Sequence, residues 1–380
     1  MRSGMTETAD PLNRPLKRGW TTGSCATAAA RAAYELLMTG SCPAIVDIAL
    51  PGGRRASFAV AIHEAEGGRA TAGVVKDAGD DPDVTHGALI KATVQRRDAG
   101  SGIAFRAGSG VGTVTRPGLP LPPGEPAINP VPREMIIAAI DEAATALGGT
   151  RDVTVEIAIP GGEDLAKKTL NPRLGIVGGL SILGTTGIVV PFSCAAWIHS
   201  IYRGIDVARA AGLPHIAGAT GSTSEKAVQQ LYGLPDTALI DMGDFAGGML
   251  KYLRRHPVGR VTVAGGFAKM TKLGQGLLDL HSRAGEVDLG WLATALHDAG
   301  APPALVETAR TANTALQVLQ ESDRSGFPAG DVVARAAWQT AYRALANDAV
   351  ALDVAVFDRD GRLVGRCLGA DHSPLPRNRR

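Results

Sequence analysis

Four carboxylates fall within the run Lys76-Asp77-Ala78-Gly79-Asp80-Asp81-Pro82-Asp83, a concentration that invites a chemical reading. Crowded carboxylates raise one another's pKa, so Asp77, Asp80 and Asp81 are the candidates for a base poised near neutrality, with an acidic turn as the blander alternative. The spacing is not that of a calcium loop, and no protein-bound metal is expected. Cys25 stands at the start of an expected helix, where a thiolate is favoured, but no histidine neighbours it in sequence; a small packing residue is the simpler reading.

A second group is built from glycine. The segment Gly175-Ile176-Val177-Gly178-Gly179-Leu180-Ser181-Ile182-Leu183-Gly184-Thr185-Thr186-Gly187 lets backbone lie against a flat or charged ligand. Gly178, Gly179, Gly184, Thr185 and Thr186 are therefore cofactor candidates, with a buried structural loop as the equal alternative. Asp241 and Asp244 follow an expected strand, a position from which Rossmann-like proteins bind ribose hydroxyls, although Asp244 also suits a helix N-cap. Ser222 and Glu225 have capping-box spacing. Lys269 and Lys272 lie in the first turns of a helix, where positive charge opposes the dipole and an anionic ligand would compensate; two solvated lysines are the alternative.

Elements able to position these groups are legible in the hydrophobic pattern. A helix is expected from Ser24 to Met38, capped by Thr22 or Ser24 and stopped at Gly40. Strands are expected at 45–50, 56–62 and 70–75, the first two as a hairpin around Pro51-Gly52-Gly53. An octet at Val46–Gly53 returns in similar form at Val155–Gly162, too short to prove duplication. After a Gly/Pro-rich stretch, a helix runs from Pro132 to Leu147. Beyond Arg151 strands and helices alternate (215–219, 237–240 and 260–264, each leading into a helix), then 289–345 is helical and 350–368 forms a hairpin. The expected fold class is α/β and α+β in two lobes. These are an N-terminal α+β domain at 16–150, with the 349–370 hairpin as a candidate addition, and a Rossmann-like parallel-sheet domain with helical extension at 151–348. Residues 1–15 and 371–380 read as flexible.

Bulk properties narrow the partners. With 39 Lys+Arg against 37 Asp+Glu there is no global field for a polyanion, so nucleic acid is not an expected partner. Cysteines at 25, 42, 194 and 367 form neither a zinc motif nor a disulfide framework, consistent with a reducing, cytoplasmic compartment. Leu174–Tyr202 carries no Asp, Glu, Lys or Arg, yet its glycines and Pro191 make a poor membrane span. No membrane partner is expected, and a homo-oligomer is left open.

Several segments together carry a resemblance. Arg18-Gly19-Trp20-Thr21-Thr22-Gly23-Ser24-Cys25-Ala26, Val75–Pro82, Gly124–Arg133 and Leu170–Gly187 resemble, in order, the CbiD family, and the likeness runs from about Leu16 to Leu368. Trp20 in place of Tyr and Ser24 in place of Thr are minor departures. The resemblance implies a cobalt-precorrin-5B C1-methyltransferase of cobalamin biosynthesis, with S-adenosylmethionine as co-substrate and cobalt present only in the corrinoid substrate. It also implies a fold distinct from the enzymes that methylate other positions of the macrocycle. Such a substrate bears acetates and propionates, for which Arg18, Lys76, Arg133, Arg173, Lys269 and Lys272 are the candidates, together with Thr21, Thr22 and Ser24 of the first motif. Two rival readings are a nucleotide-dependent oxidoreductase, which lacks a clean GxGxxG, and a non-catalytic corrinoid carrier, which would ignore the methyl donor.

Overall fold

The computed structural model describes residues 15–369, so the expected arm and tail, Pro15 apart, lie outside the described residues. Two units divide the chain, Met1–Ser193 and Cys194–Arg380.

The first unit is organised around α1 (Thr22–Thr39). Alanines at 26, 28, 29, 30, 32 and 33 are all fully buried, which lets the helix lie close to a sheet on one side and a second helix on the other. Its N-cap is Thr21 rather than the expected Thr22 or Ser24, with the Ser24 amide donating to the Thr21 hydroxyl at 3.2 Å. Gly40 closes the helix in the left-handed conformation, as expected. The hairpin Ile45–Ala49 and Arg55–Ala59 pairs in register around the glycine turn. The main sheet follows: β1 (Ile62–Glu66), β2 (Arg69–Val75), β3 (Leu89–Arg96), β4 (Ile103–Ala107) and, after helix α2 (Pro130–Leu147), β5 (Val153–Ala158). Its order is β1-β2-β3-β5-β4, antiparallel except for β5 against β4.

β5 corrects the expected boundary at residue 151. It pairs along its whole length with β3, so residues 151–193 belong to the first unit. Alternation identifies a strand but not its sheet, because pairing across nearly sixty residues leaves no local mark. The two similar octets have unlike surroundings, an isolated hairpin and an interior strand, so strand-turn chemistry accounts for the likeness.

The second unit begins with α3 (Cys194–Ala210) and continues β6 (His215–Ala219), α4 (Ser222–Tyr232), β7 (Leu239–Asp241), α5 (Ala246–Arg255), β8 (Arg260–Gly266) and α6 (Phe267–Gly274). Four helices follow, α7 (Leu289–Asp298), α8 (Pro303–Thr311), α9 (Ala315–Ser325) and α10 (Ala329–Leu345), then β9 (Ala351–Phe357) and β10 (Leu363–Cys367). The sheet runs β7-β6-β8-β9-β10, parallel except for the last strand. The terminal hairpin therefore extends this sheet and does not join the N-terminal unit. Alternate residues serve opposite faces: Ile216, Val261, Val263 and Val354 pack under the larger group of helices, whereas Ala217, Ala264 and Ala355 meet Val228 of α4. Among the described residues no helix is long and apolar enough to cross a membrane.

Candidate functional site

In the first unit the acidic run is an ordered turn clasped by the residues before α1. Lys17 Nζ lies 2.6 Å from Asp77, the Lys17 amide donates to Asp80 at 2.6 Å, and the Trp20 amide donates to the Asp77 carbonyl at 2.7 Å. Gly79 makes this clasp possible: its φ is 66°, and a Cβ there would stand 2.2 Å from the Lys17 carbonyl oxygen. Asp81 accepts the Phe192 amide at 2.9 Å. Asp83 takes Lys76 Nζ at 2.6 Å and the Thr85 amide at 2.7 Å.

These partners reverse the expected electrostatics. The Lys17 hydrogen bond, helped by the Gly79 amide, holds the Asp77 carboxyl below the usual range. Burial works to raise Asp83, but hydrogen bonds from Lys76 and Thr85 outweigh it and leave that carboxyl low as well. Each carboxylate of the turn has its own donor, and for Asp77 and Asp83 compensation by cations and amides exceeds mutual repulsion. Cys25 is fully buried and burial pushes its thiol up to about 12, so the packing reading stands and a thiolate is disfavoured. Among the described residues no group of three or more His, Cys, Asp or Glu is placed to hold a metal ion.

The glycine loop closes onto the start of α1. Gly23 N donates to the Leu183 carbonyl at 3.0 Å, the Thr22 hydroxyl to the same oxygen at 3.1 Å, and the Ser24 hydroxyl to the Gly187 carbonyl at 2.7 Å. Thr21, Thr22 and Ser24 are buried in these contacts and present no hydroxyl to a substrate. Gly184, at φ 131°, leaves 2.4 Å between an added Cβ and that of Thr21; Gly179 is pressed against Gly110 by strand pairing. Both glycines answer to close packing. Gly178, Thr185 and Thr186 are exposed.

The candidate cations divide similarly. Lys76 is 1% exposed and faces Asp83. Arg133 donates to the Ile128 carbonyl at 2.8 Å and to Glu125 at 2.8 Å, and lies over the Phe105 ring, clamping the Gly/Pro-rich loop instead of facing a ligand. Arg173 is half-buried in a turn, and Arg18 is exposed.

In the second unit a cleft of about 480 Å³ opens at the carboxyl ends of β6, β8 and β9. From β6 the chain turns outward through α4 to β7, then returns through α5 to β8 on the other side of β6. This reversal is where open parallel sheets leave a crevice for ligands. Thr220–Ser224 and Gly266–Lys269 form its floor, with Thr314, Leu316, Leu319 and Phe357–Arg359 around it. Helices α4 and α6 both start at this cleft with glycine N-caps and no side-chain cap. The expected Ser222/Glu225 capping box is not formed, because Gly221 takes the cap position and Ser222 falls inside the helix.

Lys269 lines the cleft, but its ammonium group bridges the Thr220 carbonyl at 3.1 Å and Asp244 at 2.7 Å. Asp244 is therefore an ion-pair partner and not the N-cap of α5, a position held by Phe245. Lys272 is turned inward, 9% exposed, donating to the Leu280 carbonyl at 3.2 Å; the anion-facing role expected of it is not what the fold builds. Asp241 ends β7 beside Ala219 of β6. Thr314 and the Phe357–Arg359 turn carry no local sequence signal of a site; only the parallel pairing of β9 with β8 brings the latter to the glycines. In the sequence, the cues to this cleft are Gly265-Gly266 following the expected 260–264 strand and Lys269 in the helix after them.

Comparison with known proteins agrees along nearly the whole chain. A family model described as CbiD matches residues 10–191, and one described as CbiD, C-terminal domain, matches 279–368. A protein of Agrobacterium fabrum named cobalt-precorrin-5B C(1)-methyltransferase is 60% identical over 373 residues, covering 97% of this chain and 98% of the relative. One of the same name from Paramagnetospirillum magneticum is 60% identical over 350 residues, covering 92% and 98%. A 1.9 Å crystal structure titled cobalamin biosynthesis protein (cbiD) from Archaeoglobus fulgidus is 29% identical, covers 70% of this chain and 83% of that one, and gives a TM-score of 0.39. With both family models matched and such identity sustained over almost the full length, the chain belongs to the CbiD family.

Proposed function

We propose that this chain transfers the methyl group of S-adenosylmethionine to C1 of cobalt-precorrin-5B, releasing S-adenosylhomocysteine and cobalt-precorrin-6A, in the cytoplasm. The names of the close relatives support the acceptor. The observation that carries the donor half is the cleft at the strand-order reversal of the second unit. Phe267, Leu316, Leu319 and Phe357 offer an apolar wall suited to an adenine, and the uncapped amides of α4 and α6 suit a carboxylate. Asp241 is the candidate for the ribose hydroxyls, and Lys269 holds the Thr220 loop in place. When bound, the donor supplies an electrophilic methyl on a sulfonium. The protein's own residues need chiefly to align that group with a nucleophilic ring carbon and exclude water, since alignment alone lowers such a barrier substantially.

S-adenosylhomocysteine at about 100 times its Kd is expected to stabilise the protein by about 2.7 kcal/mol, read as a rise in melting temperature. Incubation with S-adenosylmethionine and cobalt-precorrin-5B is expected to add one methyl by mass. Absence of both effects in folded protein removes the reading, and corrinoid binding without donor binding leaves a carrier.

Asp77 enters this reading as an ionised carboxylate that steadies positive charge developing on the macrocycle, because its lowered pKa suits it poorly to take up a proton. Asp77→Asn is expected to lower kcat about tenfold with donor affinity unchanged. Unaltered kcat would leave Asp77 as a clasp for Lys17 alone.

A further inference from the structure

Phe192 combines two features that folding alone does not account for. Its φ is 55°, a left-handed conformation that costs free energy for a bulky side chain and that glycine adopts without penalty. Strain of this kind is kept where the surroundings enforce it, commonly at ligand sites. The side chain gains nothing from the core, being 66% exposed, the most exposed of the large hydrophobic residues described. The Asp81 carboxylate accepts the Phe192 amide at 2.9 Å across 111 residues of sequence, tying this strained position to the acidic run. Beside it, Val190 is also exposed, and exposed Arg18 and Val190 are the residues that immediately flank the Gly19↔Val189 pair. An exposed aromatic ring, an aliphatic neighbour and a guanidinium together match a flat apolar ring system with carboxylates on its rim.

We propose that Phe192 stacks on the face of the corrinoid acceptor, that Arg18 pairs with a rim carboxylate, and that Asp81 is the positioning residue that holds Phe192 in place. This rests on the acceptor proposed above. Asp81 then acts as a hydrogen-bond acceptor for one amide and not as a base.

The test uses full-length protein, a stable cobalt corrin heptacarboxylic acid as acceptor probe followed by equilibrium dialysis, and S-adenosylhomocysteine followed by calorimetry. If the wild-type protein fails to bind the corrin acid, the acceptor reading itself fails. Given wild-type binding, Phe192→Gly is expected to weaken corrin affinity about tenfold, as loss of an aromatic stacking partner does. Its melting temperature should be unchanged or raised, since glycine relieves the strain, and its affinity for S-adenosylhomocysteine should be unchanged. Phe192→Tyr should bind like the wild type. Asp81→Ala should reproduce the loss, Asp81→Asn should restore binding through its amide oxygen, and the Phe192→Gly/Asp81→Ala double variant should be no worse than either single one. Wild-type corrin affinity in Phe192→Gly overturns the stacking role. An Asp81→Asn variant as weak as Asp81→Ala overturns the positioning role, because the carboxylate charge would then be what matters.

Discussion

Leucine in place of Gly266 is expected to remove donor binding, by at least about 100-fold or on the order of 3 kcal/mol, in a protein that melts where the wild type does. Gly266 ends β8 and caps α6 with φ −69° and ψ 151°, angles open to any residue. A Cβ there meets nothing within 4 Å, and the residue lines the cleft, so the added side chain has room only in the space assigned to the donor. One residue earlier the outcome reverses. A Cβ on Gly265 would lie 2.7 Å from Met270 Sδ and 2.9 Å from the Thr220 side chain, so Gly265→Leu should lower the melting temperature through overpacking. Calorimetric titration with S-adenosylhomocysteine, beside thermal melts of both variants, separates filling of a site from damage to a fold. Wild-type affinity in Gly266→Leu would place the donor elsewhere.

The contrast between neighbouring glycines shows what sequence could and could not convey. Gly265-Gly266 after a strand marks a close backbone approach, but which glycine meets protein and which meets open space depends on Met270 and Thr220. Likewise the sequence offers Thr22 and Ser24 as caps for α1, whereas the structure uses Thr21. The choice of Thr21 follows from the Leu183–Gly187 loop, whose carbonyls take up the other two hydroxyls from more than 160 residues away. Local signals were reliable where one element sufficed: the Gly40 stop, the hairpin around Pro51-Gly52-Gly53 and the parallel strands of the second unit are as the periodicity indicates. They failed where two distant segments had to be paired. In Leu89–Arg96, Ile90, Ala92 and Val94 alternate with Lys91, Thr93 and Gln95, a strand period that the structure builds with the apolar residues buried. The membership of Val153–Ala158 in its sheet had no local signature at all.

The same limit applies to charge. Four aspartates in one run suggest mutual repulsion and raised pKa values, whereas the fold supplies Lys17, Lys76 and four backbone amides, and the Asp77 and Asp83 carboxyls are held low. Lys76 is a candidate cation for the carboxylates of the substrate that the resemblance implies, and lysine is seldom buried. The structure buries it against an aspartate of its own turn.

That pair yields the largest expected change in stability. Asp83→Ala leaves the Lys76 ammonium buried without its carboxylate, and loss of one partner from a buried pair costs about 3 kcal/mol or more. The melting temperature should fall by roughly 6–12 °C at two to four degrees per kcal/mol. Lys76→Met should cost less, about 1 kcal/mol, because methionine replaces the aliphatic stem and Asp83 keeps its Thr85 donors and partial exposure. The double variant should be more stable than Asp83→Ala alone, the sign that an unpaired charge and not a lost contact causes the damage. Acid should mimic the single aspartate variant. The folded Asp83 carboxyl titrates below its unfolded value of about 3.9, so its contribution is complete above that value and is lost as pH falls through the folded one. The wild type's margin over Lys76→Met should therefore hold at pH 7 and shrink below about pH 4. Turnover separates structure from recognition: per folded molecule, well below the melting range, Lys76→Met should keep the wild-type KM for the corrinoid. A raised KM with unchanged melting temperature would mean that the ammonium group reaches the substrate, and the buried pair would then have to open during binding.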